Sequence, residues 1–108
     1  MGTLRINQVN SVIVSLAGDA LKREFDVPGV LATITKAETT PDIREATVWI
    51  SLLPDGDDTW GQVAALVPHL QRAVAAGLET RHTPRLTLRQ DHGPADAARI
   101  ESLLRDGR

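Results

Sequence analysis

Between Glu45 and Leu53 the residues Ala46, Val48, Ile50 and Leu52 alternate with Thr47, Trp49 and Ser51. Successive side chains of a strand point to opposite faces, so this alternation describes a strand with one apolar face and one polar face. Such a strand needs a cover for its apolar side only, and amphipathic helices are the available cover in this chain. From Arg5 to Phe25, the residues Ile6, Val9, Ile13, Leu16, Ala17, Ala20 and Leu21 recur at steps of three and four, one stripe of a helix. Pro28 and Gly29 stop that helix. A first strand is expected from Leu31 to Glu38, joined through Thr40-Pro41-Asp42-Ile43-Arg44 to the second as an antiparallel hairpin.

Downstream, Thr59-Trp60-Gly61-Gln62 reads as a capping box, with the Thr59 hydroxyl accepting from the Gln62 N–H. The helix it would open carries Val63, Leu66, Val67, Leu70 and Val74 as its stripe. Gly77 is placed to end it. Pro68 lies inside, where it removes a backbone donor and clashes with the preceding turn, so a kink or a break into two short helices is expected. Leu86 and Leu88 alternating with Arg85, Thr87 and Arg89 predict a third strand. A closing helix is expected from Pro94 to Arg105, with Ala97, Ile100, Leu103 and Leu104 inward. The order is helix, strand, strand, interrupted helix, strand, helix. It predicts an α+β fold in which helices cover one face of a three-stranded sheet and leave the other face polar.

At 108 residues with 42% hydrophobic content, residues 1–108 are expected to form one domain. Its core must be aliphatic, because the chain has one Phe, two Trp and no Tyr. Absence of Cys removes disulfides, thiolate zinc sites and cysteine nucleophiles. No apolar run approaches the roughly 20 residues that cross a bilayer, and no signal-peptide pattern opens the chain, so a soluble, cytoplasmic protein is expected. The twelve Lys and Arg nearly balance fourteen Asp and Glu, but unevenly along the chain. Six acids and one Arg lie between Glu38 and Asp58, whereas four Arg and one Glu lie between Arg72 and Arg89. A neutral sum can therefore conceal a basic face.

Catalytic equipment is sparse. His69, His82 and His92 have no partner at helical i, i+4 spacing and no Cys companion, which leaves metal and triad chemistry unsupported. Asp57 and Asp58 are accounted for by a helix start, whose dipole favours acids. Gly56 and Gly61 lack the Lys and the strand-to-helix context of a phosphate loop. Trp49 faces the polar side of the sheet. There it can serve as a base-stacking platform or, the reading favoured by ordinary strand packing, simply cover its neighbours. Arg72, Arg81, Arg85 and Arg89 are either a solvated face or phosphate contacts.

The hairpin from Ala32 through Pro41-Asp42-Ile43 to Ala46-Thr47-Val48-Trp49-Ile50-Ser51-Leu52 resembles that of bacterial ribosome-binding factor A. That family tends to show a strand, a Ser-Pro-Asp-Leu-like turn, an Ala and a Val-aromatic-Val-Ser-like strand. Arg81-His82-Thr83-Pro84-Arg85-Leu86 is similar to the family's Arg-x-x-Pro-x-Leu approach to its third strand. Arg99-Ile100-Glu101-Ser102-Leu103-Leu104 is similar to its Arg-Ile-Asp-x-Leu-Leu closing helix. With Arg5-Ile6-Asn7 at the start, the resemblance covers nearly the whole chain. It implies a type II KH-like fold and a factor that binds the immature small ribosomal subunit, assists maturation of the 5′ end of its rRNA and leaves before translation.

Under the resemblance, Arg72, Arg81, Arg85, Arg89 and Lys36 become the candidate RNA-binding residues. Family members carry an Ala-x-Gly kink between two helices. Ala75-Ala76-Gly77 matches its letters but lies too close to the third strand, so Pro68, with His69 beside it, is read as the kink. The resemblance implies no enzyme activity, no cofactor and no metal. The partners implied are the small subunit and its rRNA, with ribosomal proteins a further option, for a chain expected to be monomeric. The alternative from another class is a protein-interaction module of KH-like or split βαβ-like fold that makes no RNA contact.

Overall fold

The computed structural model describes residues 2–80 and 82–92. The element order is α1 (Gly2–Glu24), β1 (Leu31–Thr39), β2 (Glu45–Leu53), α2 (Asp57–Ala64), α3 (Val67–Gly77) and β3 (Arg85–Gln90). The closing helix expected over 94–105 lies outside the described residues.

The stripe read from the sequence is the buried side of α1, where Val9, Ile13, Ala17, Ala20 and Leu21 are at most 5% exposed. The helix ends as the Phe25 N–H bonds the Leu21 carbonyl. Pro28 and Gly29 then form the centre of a tight turn closed by Val30 N–H to the Val27 carbonyl, with Gly29 at φ 79, a left-handed position suited to glycine.

In the sheet, β2 is central. It pairs antiparallel with β1 and parallel with β3. A parallel pair needs a crossover, and α2 and α3 supply it. The inner rows are Ile34–Ile50, Ala37–Val48–Leu88 and Thr39–Ala46–Leu86, and α1 and α3 pack on this side. Each fully buried Ile or Leu here contributes roughly 1.5–3 kcal/mol. As the composition requires, the core is built of Ala, Val, Ile and Leu, with Phe25 and Trp60 at its margin.

Two local expectations change, at Thr59 and at Gly77, while at Pro68 the expected interruption takes the form of a break. The capping box at Thr59 does not form: α2 opens three residues earlier, with Gly56 as N-cap and no side-chain cap, and the Trp60 N–H bonds the Gly56 carbonyl. Thr59 is thus already inside the first turn, and Asp57 and Asp58 complement the helix dipole there. Pro68 produces a full break. Ala65 and Leu66 separate the helices, and Pro68 sits at the second position of α3, where a missing donor costs little.

Gly77 closes α3 without a left-handed cap, since the next residue, Leu78, is extended at φ −92. Its smallness serves packing instead: a Cβ there would lie 2.6 Å from Leu16 Cδ2. With Leu16 against Gly77 and Glu24 beside His69, α1 and α3 run antiparallel.

Candidate RNA interface

On the outer face of the sheet, Lys36, Trp49 and Arg89 form one row across all three strands. The row depends on an irregularity in β1. Pairing steps from Ile34–Ile50 to Lys36–Trp49, leaving Thr35 as an extra residue. Before this bulge the even-numbered Ala32 and Ile34 face inward; after it the odd-numbered Ala37 and Thr39 do. An unbulged strand would turn Lys36 toward the core, so the bulge is what places its ammonium beside Trp49. Lys36 Nζ lies 4.4 Å from the centroid of the Trp49 ring, a cation–π contact.

Thr35 is used as well. Its hydroxyl donates to Asp91 Oδ2 at 2.7 Å, tying the end of β3 across β2 to the bulge. Towards one end of this face stand the cross-strand positions Glu38–Thr47–Thr87 and Glu45–Arg85. Towards the other stand Thr33–Ser51 and the exposed pair Leu31–Leu53.

The structure divides the candidate residues. Lys36, Arg85 and Arg89 share the outer sheet face. Arg72 belongs to the helical side: on α3 its Nη2 lies 3.2 Å from His69 Nδ1, and that His69 Nδ1 is 3.6 Å from Glu24 Oε1. One nitrogen cannot serve both partners alike. Unprotonated, Nδ1 accepts from Arg72; protonated, it faces the Glu24 carboxylate. Arg81 lies outside the described residues. Pro68 and His69 occupy the first turn of α3, directly after the break.

Gln71, which sequence reading missed, and the turn expected over residues 40–44 hold this arrangement together. The Gln71 amide donates from Nε2 to the Pro84 carbonyl at 2.8 Å and accepts the Leu86 N–H at 3.0 Å, fastening α3 to the start of β3. At the hairpin, the Thr40 hydroxyl donates to Asp42 Oδ1 at 2.6 Å, and the Arg44 N–H donates to the same oxygen at 3.2 Å. These two bonds, the hydroxyl first, hold the Asp42 carboxyl below the ordinary range for the residue. Ile43 adopts φ 58 in that turn, a rare conformation for a β-branched residue, and packs its half-buried side chain against the core. Nothing in residue type announces the Gln71 bracket. The bulge did leave a signal, in the apolar positions 32, 34 and 37, whose parity changes in mid-strand.

Among the described residues no three His, Asp or Glu side chains converge as a metal site, and no helix is long and apolar enough to cross a membrane. His92 Nδ1 lies 3.3 Å from Asp55 Oδ2.

A family model described as Ribosome-binding factor A matches residues 5–104. The chain belongs to the ribosome-binding factor A family. A ribosome-binding factor A from Akkermansia muciniphila is 31% identical over 106 residues, covering 94% of this chain and 83% of its own. One from Anaeromyxobacter sp. (strain K) is 39% identical over 79 residues, covering 70% of this chain and 57% of its own. One from Saccharopolyspora erythraea is 34% identical over 110 residues, covering 98% and 66%. The chain thus spans little more than half of the Anaeromyxobacter relative.

The crystal structure of ribosome-binding factor A from Thermus thermophilus superposes with TM-score 0.68 at 14% identity, over 79% of this chain and 93% of that one. A solution structure of a Thermotoga maritima protein gives the same TM-score at 22% identity, over 82% and 89%. The α+β, KH-like fold expected of the family is the fold of this chain.

Proposed function

We propose that this chain is a ribosome assembly factor that binds the immature small (30S) ribosomal subunit and assists maturation of the 5′ end of 16S rRNA. The observation that carries the reading is membership of the ribosome-binding factor A family across residues 5–104. Lys36, Arg85 and Arg89 on the sheet face and Arg72 on the helical side, together with Arg81, are the phosphate contacts in this reading. Guanidinium groups suit that role because they pair with phosphate in two-pronged geometry. Residues 1–108 act as one ribosome-binding domain, monomeric and cytoplasmic, without catalysis, cofactor or metal. The work is positional: the factor holds an rRNA conformation until processing is complete and leaves before translation.

A second reading has one observation in its favour. Leu31 and Leu53 stand opposite each other at 62% and 68% exposure, an apolar pair suited to a protein partner, including a ribosomal protein. Depletion in cells tests the main reading. Small-subunit rRNA with an unprocessed 5′ end should accumulate, most strongly in the cold, and the parent gene should reverse it. Normal processing in depleted cells contradicts the reading.

A further inference from the structure

From the Lys36–Trp49–Arg89 row we infer that the outer face of the sheet is a nucleotide-stacking site, at which an unpaired base of single-stranded RNA lies on the Trp49 ring. The inference rests on the RNA-binding reading above and names a different surface from the helical break.

Three observations converge on it. First, on the outer side of the sheet Lys36 Nζ lies over a face of the Trp49 ring, 4.4 Å from its centroid. The electron-rich face that holds an ammonium is the face on which a base stacks, and it does so with little regard to base identity. Second, the ring is flanked by a cation on each neighbouring strand, Lys36 on β1 and Arg89 on β3, both exposed. Strands lie about 4.8 Å apart, so the row is roughly 10 Å wide, and a base on the centre strand would have its flanking phosphates within reach of long basic side chains.

Third, the bulge at Thr35 spends a ladder position to bring Lys36 onto this face, and Thr35 is itself secured to Asp91. The same-face neighbours of the half-buried Trp49 along β2 are Thr47 and Ser51, small hydroxyl residues that can bond ribose or base edges. Glu38 and Glu45 lie on the hairpin side of the row, and Arg85 stands opposite Glu45. Lys36 and Arg89 are therefore the cations of this site. Bound RNA displaces Lys36 from the ring to a phosphate.

Trp60 is the second of the two tryptophans, so a Trp60→Phe background isolates the emission of Trp49. In that background, titration with a uridine octamer should quench Trp49 saturably. Trp49→Leu should weaken binding of the octamer and of purified small subunits by roughly 5- to 150-fold, the range carried by stacking of one base. Trp49→Phe should retain most of the affinity, and circular dichroism and melting of both variants check that they are folded. Lys36→Gln should make the log–log salt dependence of octamer binding shallower by about 0.7, one single-strand phosphate contact.

Octamer binding with unchanged Trp49 emission, or a folded Trp49→Leu variant that binds like the parent, overturns the stacking site while leaving the ribosomal reading intact. Octamer binding through Trp49 by a protein that never binds small subunits removes the ribosomal reading and leaves the stacking site. A parent that binds small subunits but no octamer, with Trp49→Leu weakened on subunits, assigns the face to a protein partner and overturns the inference. A parent that binds neither overturns both.

Discussion

Gln71 Oε1 accepts the backbone N–H of Leu86 at 3.0 Å, while the other end of the same amide donates to the Pro84 carbonyl. One half-buried side chain on α3 therefore sets where β3 begins, and β3 carries two of the five candidate RNA-binding residues. Gln71→Ala leaves both backbone groups to find other partners and should lower stability by roughly 1–3 kcal/mol in denaturant unfolding. Gln71→Glu keeps the acceptor, loses the donor and should fall between. Equal stability of all three proteins would show that the bracket does not hold the strand.

Much of this architecture was readable because periodicity reports the buried face directly. The α1 stripe and the alternation of β2 name the residues that line the core, and Pro68 names the interruption of the crossover helix. What escaped depends on relations between distant segments. The parallel partnership of β2 and β3, the Gln71 bracket and the fit of Gly77 against Leu16 have no local pattern, since each partner is supplied by another element. Thr59 misled because capping chemistry is a local preference, whereas the start of α2 follows Gly56 and the two acids after it. For the candidate site, residue types were legible and grouping was not. Arg72 and Arg85 are close in sequence, but helix and strand send them to opposite sides of the molecule.

The contact of Gly77 with Leu16 gives a packing prediction. Gly77→Ala forces Leu16 to shift, and overpacking of this kind typically costs about 1–3 kcal/mol. Combining it with Leu16→Ala, which makes room, should destabilise less than the sum of the two single changes. Strict additivity in denaturant midpoints would contradict the close approach of α1 and α3.

Asp42 gives a pH prediction. Its carboxyl is held below the ordinary range, first by the Thr40 hydroxyl and then by the Arg44 N–H. A lowered folded-state value means that the charged form stabilises the fold. The contribution is complete above the unfolded-state value and is lost as pH falls through the folded one. Parent and Asp42→Asn should therefore differ in urea midpoint at neutral pH and converge in acid. A gap that stays constant with pH would remove the carboxylate from the turn's stability.

Pro68 separates recognition from stability. Pro68→Ala restores a donor in the first turn of α3 and permits a continuous helix, so it should weaken binding to small subunits while changing unfolding free energy by less than about 1 kcal/mol. Binding equal to that of the parent would show that the break has no part in recognition.

Co-sedimentation with purified small subunits across a salt series tests the central claim most directly, because phosphate contacts release counterions and leave a measurable slope. The parent should pellet with subunits at low salt and dissociate steeply as salt rises. The Arg85→Glu, Arg89→Glu double variant, altered at two exposed positions, should bind more weakly with a slope shallower by about 1.4 to 1.8, the loss of two contacts. A parent protein that never co-sediments with small subunits would contradict the account.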